Sequence, residues 1–214
     1  MSAAPIIAKK SGSYHHGDLK AQLVEATRAL VEGHGPDRFS VAQACRLAGV
    51  STAAPYRHFE TRQDMLDAGT EVGLMRLRAR LAEEAAKHPP GSVEAVAATG
   101  AAYVAFAQDE PGVFRLMFSM EGEESSPREA EMRVLGLECF GVVLDQVAAR
   151  RGKDRFDPSG LETGMQLWTL VHGMSFLTID GKFSVMDLPV DMPKMLMRAR
   201  LALLDPHPSE PASV

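Results

Sequence analysis

The sequence predicts an all-α fold of about nine helices, with a small three-helix head at the N-terminus and a larger helical bundle behind it. Three observations carry this prediction. Hydrophobic residues make up 45% of the chain, charged residues make up 24%, and 12 residues are Met, a composition typical of a folded helical protein. Apolar residues recur at helical spacing, and Gly, Pro and Ser separate the segments. We find no convincing run of alternating strand residues.

The first predicted helix starts near Asp18, a favourable N-cap, and ends at the Gly33–Gly35–Pro36 stop signals. A second helix opens at Ser40, which we expect to cap it, and is interrupted at Gly49-Val50-Ser51, where a helix end favours positive φ. A short third helix is expected over 52–59. Thr61, with Asp64 three residues later, nearly forms a capping box for a long helix over 62–87.

The remainder of the chain is a series of helical segments that begin near Ser or Pro. They are expected over 92–108, 111–119, 127–151, 158–180 and 189–204. We divide the chain into a flexible arm (1–13), a helix-turn-helix domain (14–61), a C-terminal domain (62–204) and a disordered tail (205–214).

The bulk properties exclude several classes of protein. Cys45 and Cys139 lie far apart, so neither a disulfide framework nor a thiolate metal site is indicated. The start of the chain resembles no signal peptide, and no apolar run has membrane-spanning length; we therefore expect a cytoplasmic protein without membrane contact. The net charge of −5 divides into +2 for residues 1–60 and −7 for residues 61–214. A slightly basic head on an acidic body is compatible with a local DNA contact.

The stretch between residues 18 and 66 has the chemistry of a helix-turn-helix. A tight turn lets the second helix brace the third, whose side chains then face the DNA major groove. The small Ala53 would let this helix sit deep in the groove, and Arg57 could reach a guanine edge or a phosphate. Tyr56 and His58 are placed to donate hydrogen bonds to phosphates.

The stretch FSVAQACRLAGVSTAAPYRHFETRQDML (39–66) resembles the DNA-binding domain of the TetR/AcrR family of repressors. Further on, PGVFRLMFS (111–119) and LWTLVHGMSFL (167–177) are similar to the branch whose C-terminal domain is named for Trp-His-Gly, here Trp168, His172 and Gly173. The resemblance implies a homodimer whose last two helices pair with their twofold mates. It also implies double-stranded DNA, as a palindromic operator, and a small-molecule effector as partners, with no cofactor.

By this resemblance, nine residues match the family's DNA contacts: Ser40, Gln43, Thr52, Ala53, Tyr56, Arg57, His58, Thr61 and Arg62. The chain departs from the family's pattern at two positions. Pro55 stands where Leu is more common and removes a backbone donor from the recognition helix. Cys45 stands where Ala is usual, which packing should tolerate.

Aromatic and Met residues at helical spacing in the C-terminal domain are candidates for the lining of a ligand pocket, although such residues are more often plain core. The candidates are Tyr103, Phe106, Phe114, Met117, Phe118, Met120, Phe140, Met165, Trp168, His172 and Phe176. His172 could hydrogen-bond a ligand or satisfy a buried carbonyl. A mostly hydrophobic ligand is expected.

We therefore expect a ligand-responsive DNA-binding regulator, most simply a repressor that a small hydrophobic ligand releases from its operator. The same head could serve an activator. An enzyme that uses the C-terminal cavity is a less favoured alternative, because no nucleophile–base pair, phosphate loop or metal set is recognisable.

Nothing near Cys139 favours a redox sensor. For His15, His16 and Asp18, a polar helix entry is favoured over a metal site because the sequence places no third ligand.

Overall fold

A computed structural model describes residues 16–119, 127–185, 191, 194–198 and 204, and every regular element among them is helical. The predicted all-α class is therefore confirmed for this part of the chain. The α-helices are α1 (His16–His34), α2 (Val41–Ala48), α3 (Arg62–Ala86), α4 (Val93–Asp109), α5 (Pro111–Phe118), α6 (Pro127–Arg151), α7 (Pro158–Ile179) and α8 (Lys182–Val185). Two short 3-10 helices occupy Pro36–Arg38 and Pro55–Arg57.

Several predictions lie outside the described residues. They concern the N-terminal arm (1–13), His15, Met120, the tail (205–214) and most of the helix expected over 189–204. Within the described part, α1 begins at His16. Asp18, which was predicted as the N-cap, therefore lies within the first turn instead. An acidic residue is favourable at either position, so the sequence pattern did not distinguish them.

The head is held together by one apolar cluster that α1, α2 and the start of α3 share. Leu23 and Val31 of α1 and Ala44 of α2 are fully buried in it. Phe39 and Phe59, which lie in the segments between the helices, are buried in the same cluster. Burial of a large apolar side chain contributes about 1.5–3 kcal/mol. This cluster also contains Leu116 of α5, so the head core continues into the body.

The predicted capping box at the start of α3 is confirmed. The Thr61 hydroxyl accepts a hydrogen bond from the Asp64 backbone N–H at 3.1 Å, and the Asp64 carboxylate accepts one from the Thr61 N–H at 2.8 Å. The two groups satisfy backbone donors that a helix start leaves without partners. The cap fixes where the long helix leaves the head.

The body is a four-helix arrangement of α3, α4, α6 and α7, with α5 lying between this bundle and the head. Its largest buried cluster is built from aliphatic and aromatic side chains of these helices, among them Leu77, Phe106 and Phe114. Of the helices that the structure describes, none is long and apolar enough to cross a membrane. A cavity that is partly open to solvent lies between the helices of the bundle.

Candidate functional site

The turn between α2 and the following segment has the geometry that a helix-turn-helix needs. α2 ends at Gly49, whose φ of 70° lies in the left-handed region, and the Val50 N–H donates to the Cys45 carbonyl at 2.9 Å. A glycine adopts this φ without strain. Ala44 and Cys45 are fully buried on the inner face of α2, so the thiol is accommodated as a small core side chain.

The third element of the head differs from its prediction. An α-helix was expected over 52–59, but the structure has a turn followed by the 3-10 helix Pro55–Arg57. Pro55 has no backbone N–H, so it cannot donate to the Ser51 carbonyl, which instead accepts from Ala54 at 3.0 Å. The Pro55 ring is buried. We call residues 51–59 the recognition segment.

The recognition segment contains five of the residues that were predicted to contact DNA, and it exposes four of them. Thr52, Ala53, Tyr56 and Arg57 are exposed, and the Tyr56 side chain is 64% accessible. Tyr56 and Arg57 belong to the same 3-10 turn as Pro55, and the buried Pro55 ring anchors that turn to the core of the head. A rigid apolar base thus presents a phenol and a guanidinium to the outside.

The two predicted helix caps differ in what their hydroxyls do. Ser40 occupies the N-cap position of α2, but its side chain makes no capping hydrogen bond, which corrects the expectation that it caps the helix. Its carbonyl accepts from Gln43 and Ala44 at 3.0 Å. The hydroxyls of Ser40 and exposed Thr61 can both still donate outward.

Arg62, another predicted DNA contact, is engaged within the head. Its Nε donates to the Phe39 carbonyl at 3.1 Å, a terminal nitrogen donates to the Pro36 carbonyl, and the guanidinium lies 5.6 Å from the centre of the Phe39 ring. These contacts tie the loop between α1 and α2 to the start of α3. The structure therefore gives Arg62 a positioning role.

Gln43 and His58 are half-buried, unlike the exposed predicted residues. The Gln43 Oε1 and the His58 Nε2 have no hydrogen-bond partner among the described residues. Because His58 Nε2 is buried, this nitrogen does not face outward as a donor to a phosphate would.

A cavity of about 370 Å³ lies within the body, inside the range of about 300–1,000 Å³ that is typical of small-molecule sites. Five predicted residues line it: Tyr103, Phe118, Phe140, Met165 and Trp168. The other described candidates do not: Phe106, Phe114, Met117, His172 and Phe176. Sequence reasoning missed the aliphatic walls on α3 and, on α6, Arg133, Gly136 and Cys139. The spacing of Arg133, Gly136 and Phe140, which places them on one face of α6, was an available signal.

Tyr103, Trp168 and His172 form a hydrogen-bonded triad beside the cavity. The Trp168 Nε1–H donates to the Tyr103 hydroxyl at 3.3 Å, and this hydroxyl lies 2.8 Å from His172 Nδ1. The direction of the bond between this hydroxyl and Nδ1 depends on which nitrogen of His172 carries the proton. Burial raises the pKa of the Tyr103 phenol and lowers the pKa of His172.

Aromatic rings surround His172 and connect the triad to α5. The His172 ring centre lies 4.5 Å from that of Phe118, 5.0 Å from that of Phe176 and 5.9 Å from that of Phe114. His172 thus satisfies a phenol within an apolar cluster, close to the core role that was its alternative in the sequence.

Both cysteines are reduced and buried. Burial raises the pKa of the Cys139 thiol to about 11, and its Sγ lies 3.3 Å from the Leu74 carbonyl. A thiol in this state is a poor nucleophile at neutral pH. Among the described residues, no group of His, Cys, Asp and Glu could hold a metal ion.

Carboxylates join the head to the body at the start of α5. Glu32, in the last turn of α1, accepts hydrogen bonds from the backbone N–H groups of Gly112 and Val113. Glu110, whose side chain is 11% exposed, pairs with Arg28 of the head at 3.3 Å and with Arg76 of α3 at 2.6 Å. Since Phe118 at the other end of α5 lines the cavity, one short helix touches both parts.

Comparison with solved structures supports the fold along most of the chain. A protein of unknown function from Rhodococcus sp. RHA1 is 26% identical, with a TM-score of 0.74 over 91% of this chain and 97% of its own. A tetR-family transcriptional regulator from Streptomyces coelicolor is 13% identical, with a TM-score of 0.68 over 89% of this chain and 80% of its own. The transcriptional regulator FadR from Bacillus subtilis, solved in complex with stearoyl-CoA, is 14% identical, with a TM-score of 0.60 over 86% of this chain and 97% of its own.

Family models match both parts of the chain, whereas no curated protein is significantly similar to it. The model for bacterial regulatory proteins of the tetR family matches residues 23–68, which cover the helix-turn-helix. The model for a tetracyclin repressor-like C-terminal domain matches residues 96–202, which include most of the cavity wall. The chain belongs to the TetR family of bacterial transcriptional regulators.

Proposed function

We propose that this regulator is a repressor that binds a palindromic operator as a homodimer and leaves it when a small hydrophobic ligand enters the cavity of the body. It acts in the cytoplasm and releases its ligand unchanged. The same DNA-binding head would serve an activator if the operator lay at a different position relative to the promoter. Repression, as opposed to activation, is therefore part of the proposal.

The DNA contact rests on the recognition segment and the start of α2. Arg57 and Tyr56 are exposed on a turn whose base is fixed by buried Pro55, so the backbone that carries them is already positioned to present both side chains to a groove. The backbone N–H groups at the start of α2 donate no hydrogen bond to the Ser40 side chain. Such a helix start favours a phosphate.

A dimer follows from the geometry of helix-turn-helix recognition. One head covers a half-site, and two heads related by a twofold axis match a palindrome. Leu177 of α7 is 45% exposed, which supports α7 as part of the surface that the second protomer covers.

One observation carries the ligand response: α5 touches the cavity through Phe118 and the head through Gly112 and Val113. A ligand that displaces Phe118 shifts α5, and the Glu32 hydrogen bonds transmit this shift to α1. The ligand then favours a head spacing that no longer fits successive major grooves. The apolar cavity and the stearoyl-CoA bound to Bacillus subtilis FadR both favour a hydrophobic ligand.

Band-shift titration of fragments from the gene's own upstream region tests the DNA contact. Arg57→Ala and Tyr56→Phe should weaken specific binding by about tenfold or more, because each removes a donor to DNA. Arg155→Ala removes the same charge as Arg57→Ala, but from an ion pair with Asp145 in the body, and should bind as the wild type does. Equal losses for Arg57→Ala and Arg155→Ala would contradict the assigned interface.

A further inference from the structure

The polar side chains on the cavity wall make their hydrogen bonds with other groups of the protein. The Thr99 hydroxyl donates to the Ala95 carbonyl at 2.8 Å, and the Cys139 thiol is directed to the Leu74 carbonyl at 3.3 Å. The Tyr103 hydroxyl lies between Trp168 Nε1 and His172 Nδ1. Over this part of the wall, the polar groups are already engaged with protein partners, so a ligand meets mainly apolar surface.

Arg133 is the cationic side chain on the described part of this wall. It is exposed, and it makes no ion pair or hydrogen bond with the described residues. On the same helix, Arg128 pairs with Asp67 at 3.1 Å. An unpaired guanidinium beside an otherwise apolar cavity is a ready partner for an anion, because it presents several donors in a fixed plane.

The cavity runs along α6 away from Arg133. Arg133, Gly136, Phe140 and Val143 share one face of the helix and all line the cavity, so at a rise of 1.5 Å per residue the wall from Arg133 to Val143 is about 15 Å long. At Gly136, an added Cβ would meet nothing within 4 Å. The absence of a side chain there leaves open space next to Arg133.

We propose that the effector is an amphiphile with one apolar tail and one anionic head, the head on Arg133 and the tail along α6 towards Val143. This inference rests on the proposed function, since it takes the cavity to be the effector site. The apolar wall stabilises the tail by burial, and Arg133 selects the acidic head by a charge-assisted hydrogen bond.

Calorimetric titration of the purified full-length protein with dodecanoate tests the inference without DNA. Arg133→Gln should weaken dodecanoate binding by about tenfold, the effect of losing one hydrogen bond to a charged group. Arg155→Gln, which removes a charge elsewhere on the body, should leave binding unchanged. Unchanged binding in Arg133→Gln, or no dodecanoyl ligand bound by the wild type, would overturn the inference.

Two further probes separate the contributions of head and tail. Dodecanol should bind more weakly than dodecanoate and equally well to wild type and Arg133→Gln, whereas equal affinities of the alcohol and the acid would overturn the role of Arg133. Gly136→Leu should reduce binding of every probe by filling the space beside Arg133; its helix content and melting temperature check that it folds. Unimpaired binding in a folded Gly136→Leu protein would place the ligand elsewhere.

A third comparison identifies the source of the acidic head. Binding of dodecanoate indicates a free acid; binding of dodecanoyl-CoA alone, still weakened in Arg133→Gln, indicates a thioester whose phosphates supply the charge. Either result supports an anionic amphiphile. The outcome is independent of the proposed function, because DNA binding is measured separately: a protein that binds its operator but no dodecanoyl ligand retains the regulator assignment and loses this inference.

Discussion

The Glu32 carboxylate caps the N-terminus of a helix that belongs to another part of the molecule. It lies 3.0 Å and 3.2 Å from the backbone nitrogen of Gly112, a residue 80 positions later in the chain. The negative charge meets the positive end of the α5 dipole, which strengthens the contact. Head and body are therefore joined by a charge-assisted hydrogen bond as well as by apolar packing around Leu116.

Glu32→Gln should lower the free energy of unfolding by about 1 kcal/mol, because the neutral amide loses the charge that the N-terminus of α5 favours. It should also weaken the response of operator binding to any effector. Urea unfolding gives the first quantity. Glu162→Gln, at an exposed position of α7, is the control; an equal effect of both substitutions would show that the Glu32 contact is unimportant.

Gly112→Ala should lower the free energy of unfolding by about 2 kcal/mol or push the head away from the body. An added Cβ would lie 2.5 Å from the Val31 carbonyl oxygen and 2.7 Å from the Glu32 Cα, both backbone atoms. Gly33→Ala is the matched control, because a Cβ there meets nothing within 4 Å, and it should stabilise α1 by up to about 1 kcal/mol. Similar unfolding curves for the two variants would contradict the close approach of α1 and α5.

Arg62→Lys should destabilise the head by about 1 kcal/mol, since lysine keeps the charge but cannot reproduce the planar fork that meets the Phe39 and Pro36 carbonyls. Chemical unfolding measures the loss. Arg38→Lys changes an exposed residue of the same loop and should be neutral. A stable Arg62→Lys protein with strongly reduced DNA affinity would instead assign Arg62 to the DNA.

The lowered pKa of His172 predicts a pH dependence of stability. An unfolded His has a pKa of about 6.5, so below this pH the unfolded chain binds a proton before the folded protein does. The free energy of unfolding therefore decreases as pH falls from about 6.5 to the folded-state pKa, and the contribution is constant below it. Unfolding at about pH 7.5 and about pH 5 should show a smaller difference for His172→Gln than for wild type. Equal differences would mean that His172 titrates as it does when unfolded.

Local sequence signals predicted most of the fold. The helix expected over 127–151 has those bounds in the structure, and α3 begins at the predicted Thr61 cap, because Pro and capping residues act within one turn. The recognition segment was predicted wrongly as an α-helix: the missing N–H of Pro55 outweighed the helical pattern around it. The departure of Pro55 from the family pattern had indicated this position.

The site was less predictable because it depends on packing between distant segments. Trp168 and Phe140 were expected at a pocket and line the cavity, whereas Phe106 lies in the core; composition cannot tell which face of a helix borders a void. The role of Glu32 could not be inferred at all, since its partners lie 80 and 81 residues away.

Fluorescence anisotropy of the purified protein with labelled fragments of its own upstream region measures whether the protein binds a specific operator as a dimer. The titration is repeated at several salt concentrations and with competitor DNA, since phosphate contacts alone give salt-sensitive, nonspecific binding. We predict tight, competitor-resistant binding to one palindromic fragment with two protomers per site. Binding no tighter than to random DNA would contradict the account and leave a TetR-family fold without the function that we propose for it.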